Sequence, residues 1–174
     1  MRLFIAIEIL PEVEKYLIEL QTQLAGAKLT LAKHIHLTLK FLGEVSPQNA
    51  EKVEERLKQI KFNKFKATLG SIGFFPSEKH ARVVWVGVEP QKVICELQKK
   101  IDDSLEGLFP KEKDFQPHLT LARVKEINNK SQFEKIKDIK VKTIEFSATE
   151  FKLVESKLSP KGPEYRDVKV YALQ

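Results

Sequence analysis

His36-Leu37-Thr38-Leu39 and His118-Leu119-Thr120-Leu121 are the same tetrapeptide, placed 82 residues apart. In each, two polar residues alternate with two leucines, the period of a strand with one buried and one open face. Such a strand sets His and Thr, at i and i+2, on one side about 6.6 Å apart and turns the leucines to the other. Two identical polar pairs on two strands can then face one cleft.

Around the first tetrapeptide the strand pattern runs from His34 to Val45, with Ile35, Leu37, Leu39 and Phe41 on one face and His36, Thr38 and Lys40 on the other. Before it, Arg2 to Ile9 is apolar enough for a buried strand. Pro11 then stands where a helix's first turn accepts proline, followed by Val13, Leu17, Leu20 and Leu24 at helical spacing. After it, Ser46-Pro47 reads as an N-cap and an N1 proline, opening a helix that turns Val53, Leu57 and Ile60 inward. Phe65 to Phe75 and Ala81 to Val88 are strand-like runs across a Pro76-Ser77-Glu78 turn. A helix after Pro90 carries Val93, Leu97, Ile101, Leu105 and Leu108 inward. His118 to Val124 reads as a strand, Ser131 to Ile139 as a short helix, and Val141 to Leu153 and Asp167 to Leu173 as strands, with a loop at Ser159 to Pro163 between them.

The two halves therefore run in one order, strand, helix, tetrapeptide strand, helix, strand, strand, with the strand at Ala81 opening the second pass. No Gly/Ser-rich linker or composition break divides the passes, so residues 1–174 read as one domain built by internal duplication, one lobe per half. A chain of 174 residues with 42% hydrophobic side chains can bury a sizeable core, which excludes disordered, collagen-like and coiled-coil classes. The lone Cys95 cannot form an internal disulfide and points to a reducing, cytoplasmic setting. Glu8 interrupts the apolar run Leu3 to Ile7 too early for a signal segment, and no span reaches the roughly 20 apolar residues of a membrane helix. Thirty Lys+Arg against 24 Asp+Glu give a net charge of +6, which suits a polyanionic partner such as nucleic acid, although Lys/Glu-rich surfaces also accompany heat adaptation.

Two imidazoles with ordinary pKa values near 6.5 can divide acid and base work at neutral pH. In-line cleavage of a phosphodiester wants such groups on opposite sides of phosphorus, and a duplicated fold supplies that opposition. Each Thr hydroxyl can donate to a non-bridging oxygen where charge builds. A single His-x-Thr in a strand is ordinarily a satisfied polar face; its repetition in matched halves, using two of only four histidines, turns the reading to catalysis.

The remaining candidates are weaker. His34 shares strand parity with His36, and His-x-His can chelate, but a metal needs further ligands. Asp102 and Asp103 fit the helix pattern and Asp114 a loop, so no metal is expected, and His34 reads as a loop or cleft-edge residue. His80 reads as a solvated turn residue, Lys111-Glu112-Lys113 as a solvated run, and Cys95 as packing. Trp85 and Phe74 could stack on a base, although Trp85, within Val83 to Val88, reads first as core. No phosphate-cradling glycine loop is present, which argues against a nucleotide-driven ligase or kinase.

Beyond the two tetrapeptides, the chain resembles the two-histidine phosphoesterases, and among them the RNA 2′,3′-cyclic phosphodiesterases, also called 2′-5′ RNA ligases. The likeness extends through Arg2 to Ala6, His36 to Val45, Arg82 to Gly87, Pro117 to Val124, and Leu158-Ser159-Pro160 through Gly162 to Tyr165. It implies an α+β fold of two pseudo-symmetric lobes, mainly antiparallel sheets flanking a central cleft, helices outside. It implies metal-free and cofactor-free hydrolysis of an RNA 2′,3′-cyclic phosphate end to a 2′-phosphomonoester, with His36 as proton donor and His118 as proton acceptor. Thr38, Thr120 and Arg123 match the family's substrate-binding residues. A 2′-5′ ligase joining tRNA halves, or a non-catalytic RNA-binding module, remain the alternatives; a monomer without membrane contact is expected. Strict alternation from His118 places Arg123 on the leucine face, so its role requires a bulge or strand end.

Overall fold

Both tetrapeptides open strands, and both strands lie near the edge of a sheet. In the computed structural model, which describes residues 1–174, the chain runs β1 (Arg2–Glu8), α1 (Pro11–Leu20), β2 (Ala27–Leu31), β3 (His36–Glu44), α2 (Pro47–Lys58), β4 (Phe65–Phe75), β5 (Val83–Glu89), α3 (Gln91–Ser104), β6 (His118–Ile127), α4 (Lys130–Glu134), β7 (Glu145–Ala148), β8 (Glu150–Ser159) and β9 (Gly162–Ala172). The expected caps form: Pro11 and Pro47 occupy the first helical turns, and the Ser46 hydroxyl accepts from the Asn49 N–H at 3.2 Å.

The strands form two antiparallel sheets, β3-β1-β8-β9 and β2-β6-β5-β4-β7. Apart from β2 the two orders correspond, β3-β1-β8-β9 against β6-β5-β4-β7, so this is the α+β, two-sheet architecture that the sequence implies. The expectation of one lobe per half needs correction. β2 and β4, from the first half, complete the second sheet, while β8 and β9, from the second half, complete the first. Each half alone would leave β1 or β5 with an unpaired edge, which the exchange satisfies.

Boundaries also differ from expectation: the stretch Ser159 to Pro163, expected as a loop, is a tight turn paired from Ser159 to Gly162, so the last strand begins at Gly162 and not at Asp167. The run Val141 to Leu153 is two strands: β7 pairs with β4, the chain breaks at Thr149, and β8 pairs with β1 in the other sheet. Apolar periodicity continues across the break because both strands bury residues in the same core. β2 escapes periodicity because it is a short edge strand with no fully buried residue.

One continuous hydrophobic core runs between sheets and helices, drawing Leu3, Ile5, Ile7, Leu37 and Leu39 from the first sheet and Val84, Val86, Leu119 and Leu121 from the second. A separate small cluster of Phe4, Ala6 and Val154 lies on the other face of the first sheet, beside His36.

Candidate active site

The strand pairings decide which side chains share a face. Along β1 and β3, Glu8 pairs with His36, Ala6 with Thr38, Ile5 with Lys40 and Phe4 with Phe41, so Leu39 has no partner. Along β5 and β6, Gly87 pairs with His118, Trp85 with Thr120, Val84 with Ala122 and Val83 with Arg123, so Leu121 has none. Both are bulges at the same place in the repeat, and each puts two successive residues on the buried side. Lys40, expected beside His36 and Thr38, is therefore turned inward at 2% exposure, and Phe41, expected inward, is turned out at 66%. In the second motif Ala122 is turned in and Arg123 out, onto the side of His118 and Thr120.

His36 is half-buried, its ring stacked on Phe4 with centroids 4.8 Å apart and met edge-on by Tyr165 at 5.3 Å. Burial, and secondarily the charge of His34, push its pKa down to about 4. His118 is also half-buried, with Phe75 edge-on at 4.8 Å and Trp85 at 6.0 Å. Burial lowers its pKa most; a bond to the Gln116 carbonyl opposes that shift, and the Arg123 guanidinium adds to it. The Nδ1 of His118 lies 2.7 Å from that carbonyl, which can only accept, so Nδ1 carries the hydrogen and Nε2 is left as an acceptor.

The Arg123 guanidinium lowers the pKa of His118 and opposes the rise that burial imposes on Tyr165, which meets His36 edge-on. β3 and β6 are in contact, so the two His-x-Thr pairs come from neighbouring strands of different sheets. Beside His36, between α1, β1 and β9, lies a cavity of about 820 Å³ whose walls include Phe4, Glu8, His34, His36, Tyr165 and Asp167. His34 is exposed at the edge of this cavity, just ahead of β3, and no group of three His, Cys, Asp or Glu side chains is placed to hold a metal ion.

Trp85 is a correction. It sits on the His118 side of the sheet rather than in the core, against Phe75 at 4.9 Å, with its indole N–H buried without a partner. It lies flat over Gly73, where any Cβ would collide with the ring. Phe74, one residue out of phase with Phe75, packs on Phe133 instead. His80 is exposed, Lys111 is engaged by Asp103 and Glu106, and Cys95 is half-buried in α3. The residues that site prediction missed are Phe4, Phe75 and Tyr165, aromatic side chains that frame the histidines. The resemblance spans Phe4 and Tyr165 but gives neither a role, and the strand pairing that brings Phe75 beside Trp85 and His118 is not legible in the sequence.

A family model for LigT-like phosphoesterases matches the chain twice, over residues 7–85 and 86–165. The chain belongs to the LigT-like phosphoesterase family. It is 39% identical over 181 residues to a Methanocaldococcus jannaschii protein named RNA 2′,3′-cyclic phosphodiesterase, across 97% of this chain and 99% of that one. A protein of the same name from Archaeoglobus fulgidus is 34% identical across 98% and 99% of the two chains. Among solved LigT-like structures, Escherichia coli LigT complexed with 3′-AMP superposes with a TM-score of 0.77 at 26% identity, covering 99% of this chain and 97% of that one. A Thermus thermophilus protein superposes with a TM-score of 0.76 at 29% identity, covering 99% and 98%. As a LigT-like phosphoesterase the chain has no helix long and apolar enough to cross a membrane.

Proposed function

We propose that this chain hydrolyses RNA ends bearing a 2′,3′-cyclic phosphate to 2′-phosphomonoesters, with two histidines as proton donor and acceptor and no metal. The observation that carries the reading is the pairing of His36/Thr38 and His118/Thr120 on adjacent strands of opposite sheets, each followed by the same bulge. The names of the relatives supply the substrate class.

His118 takes a proton from water at Nε2, its Nδ1–H held by Gln116, while the water oxygen bonds to phosphorus. The P–O3′ bond breaks in line, its electron pair goes to O3′, and His36 gives O3′ a proton. The product carries a 2′-phosphate and a 3′-hydroxyl, and solvent restores the two imidazoles. Thr38 and Thr120 hydroxyls and the Arg123 guanidinium donate to the non-bridging oxygens, where charge grows in the transition state. His36 is neutral near pH 7 in the empty cleft because burial and His34 hold its pKa down to about 4. An anionic phosphodiester beside it favours the imidazolium, so substrate binding itself charges the acid. An RNA 5′-hydroxyl in place of water would leave a 2′-5′ linkage by the same displacement, as in joining tRNA halves. We read the chain as one duplicated domain acting on RNA in the cytoplasm, which the single cysteine suits.

The test is incubation in EDTA with a short RNA ending in 2′,3′-cyclic phosphate. A 2′-phosphate product, absent in His36→Ala and in His118→Ala, is expected. A 3′-phosphate would reverse the leaving group, and RNA binding without turnover would make the chain a binding module.

A further inference from the structure

Lys40, four residues beyond His36 on β3, lies under the first sheet with its ammonium 2.6 Å from Asp102 Oδ1, an ion pair that leaves that oxygen without a hydrogen bond, and donates to the Pro110 carbonyl at 2.7 Å. Asp102, in the last turn of α3, is 5% exposed; its Oδ2 accepts from Gln98 Nε2 and from the Glu112 backbone N–H, each at 2.9 Å. The Glu112 carboxylate stands 3.8 Å from the same ammonium. Pro110 and Glu112 belong to the segment 105–117, which leads from α3 into β6, and Gln116 of that segment supplies the carbonyl bound to His118 Nδ1. Five successive residues of it, 110–114, are exposed; Phe109 and Phe115 on either side pack against the core, so the stretch between those two anchors is the part that packing leaves unset.

A buried ion pair is a poor way to gain stability, since well-packed apolar side chains of the same volume serve at least as well. What it adds is direction: short charge-assisted bonds in a low-dielectric interior hold their partners to one geometry. Here those partners are two backbone groups of the segment that carries the second histidine's anchor. At the matching place in the repeat stands Ala122, so the device exists in one direction only, from β3 toward β6.

We propose that Lys40 and Asp102 are positioning residues that clamp the segment 105–117 to β3, so that the strand carrying one histidine sets the tautomer and placement of the other. The proposal rests on the reading of His118 as proton acceptor; neither residue touches substrate.

The test is the double variant Lys40→Met/Asp102→Asn, which removes both charges together, so that neither is stranded, and keeps an acceptor for the Glu112 N–H. Nitrogen NMR of the His118 ring at mildly alkaline pH reads the tautomer. Steady-state kinetics on a short RNA ending in 2′,3′-cyclic phosphate, far below the melting midpoint, read kcat and KM separately. The parent should hold the Nδ1–H tautomer. The variant should show a mixture, with kcat down about tenfold or more and KM within about threefold. A folded variant with parental tautomer and parental kcat overturns the proposal and leaves the pair a matter of stability alone. Should the double variant not fold, Glu112→Pro, which removes the backbone N–H that Asp102 holds at an exposed position and leaves the ion pair whole, is judged by the same two measurements. A parent without turnover would sink the proposed reaction, while the tautomer would still decide the clamp.

Discussion

The two His-x-Thr strands are alike through their bulges and then diverge. Beyond His36 the chain turns a lysine inward and an aromatic ring outward; beyond His118 it turns alanine inward and arginine outward. One bulge thus delivers its cation to the scaffold, where Lys40 meets Asp102 and Pro110, and the other turns it out to the face that carries His118 and Thr120. The framing of the imidazoles differs too. His36 is stacked on a ring, lies beside His34 and borders the cavity, whereas His118 is met edge-on and tied through Nδ1 to Gln116. A duplication can keep its geometry and still assign different work to each copy, because a bulge fixes which way a side chain points but not what the side chain is.

The sharpest way to break this comparison is to remove each histidine in turn. His36→Ala and His118→Ala should each lower kcat by about 10²- to 10⁴-fold while RNA affinity holds, the range for a lost general acid or base; equal retention of turnover in either would remove that histidine from the chemistry.

The cations come next, and they should fail in opposite ways. Lys40→Met leaves Asp102 buried without its ion and should cost about 3–5 kcal/mol of unfolding free energy in a denaturant titration. Arg123→Met, at an exposed site, should leave stability unchanged and cut kcat/KM by about 10- to 100-fold, the worth of bonds to a charged group. A stability loss in the arginine variant, or none in the lysine variant, contradicts the division of labour.

The pH profile sharpens the contrast further. With His36 pushed down to about 4 and His118 lowered from its ordinary 6.5, kcat/KM, which reports the free protein, should peak between those values and fall on both sides. The alkaline limb of kcat should lie higher, because the bound phosphate raises His36. A flat profile would sink the acid/base pair. The smallest effect belongs to His34→Ala: losing that neighbouring charge raises His36, so the acidic limb should move up while the alkaline limb, set by His118, stays. An unmoved acidic limb would take His34 out of the site.

Much of this architecture could be read along the chain. The helix starting at Pro11, the Ser46 cap, the strands around both tetrapeptides and the imidazole pair all rest on local spacing and on side-chain chemistry that needs no partner. What escaped depends on neighbours distant in sequence. Alternation placed Arg123 and Phe41 with the leucines, and only the pairing partners along β5 and β1 show where one residue is skipped. Trp85 looked like core because its strand is apolar on both faces, and its ring turns out to cover Gly73 beside His118. Tyr165 reaches His36 from the other end of the chain.

The sequence by itself determined the repeated His-x-Thr strands, the helices that follow them and the chemistry available to two imidazoles, since periodicity and capping act within a few residues. Only the tertiary structure decided that the halves exchange strands, that two matching bulges send Lys40 inward and Arg123 outward, and that Lys40 of one sheet grips the segment leading to His118 of the other. Register and bulges are set by which strands pair, and pairing satisfies backbone groups and buries apolar faces drawn from the whole chain at once.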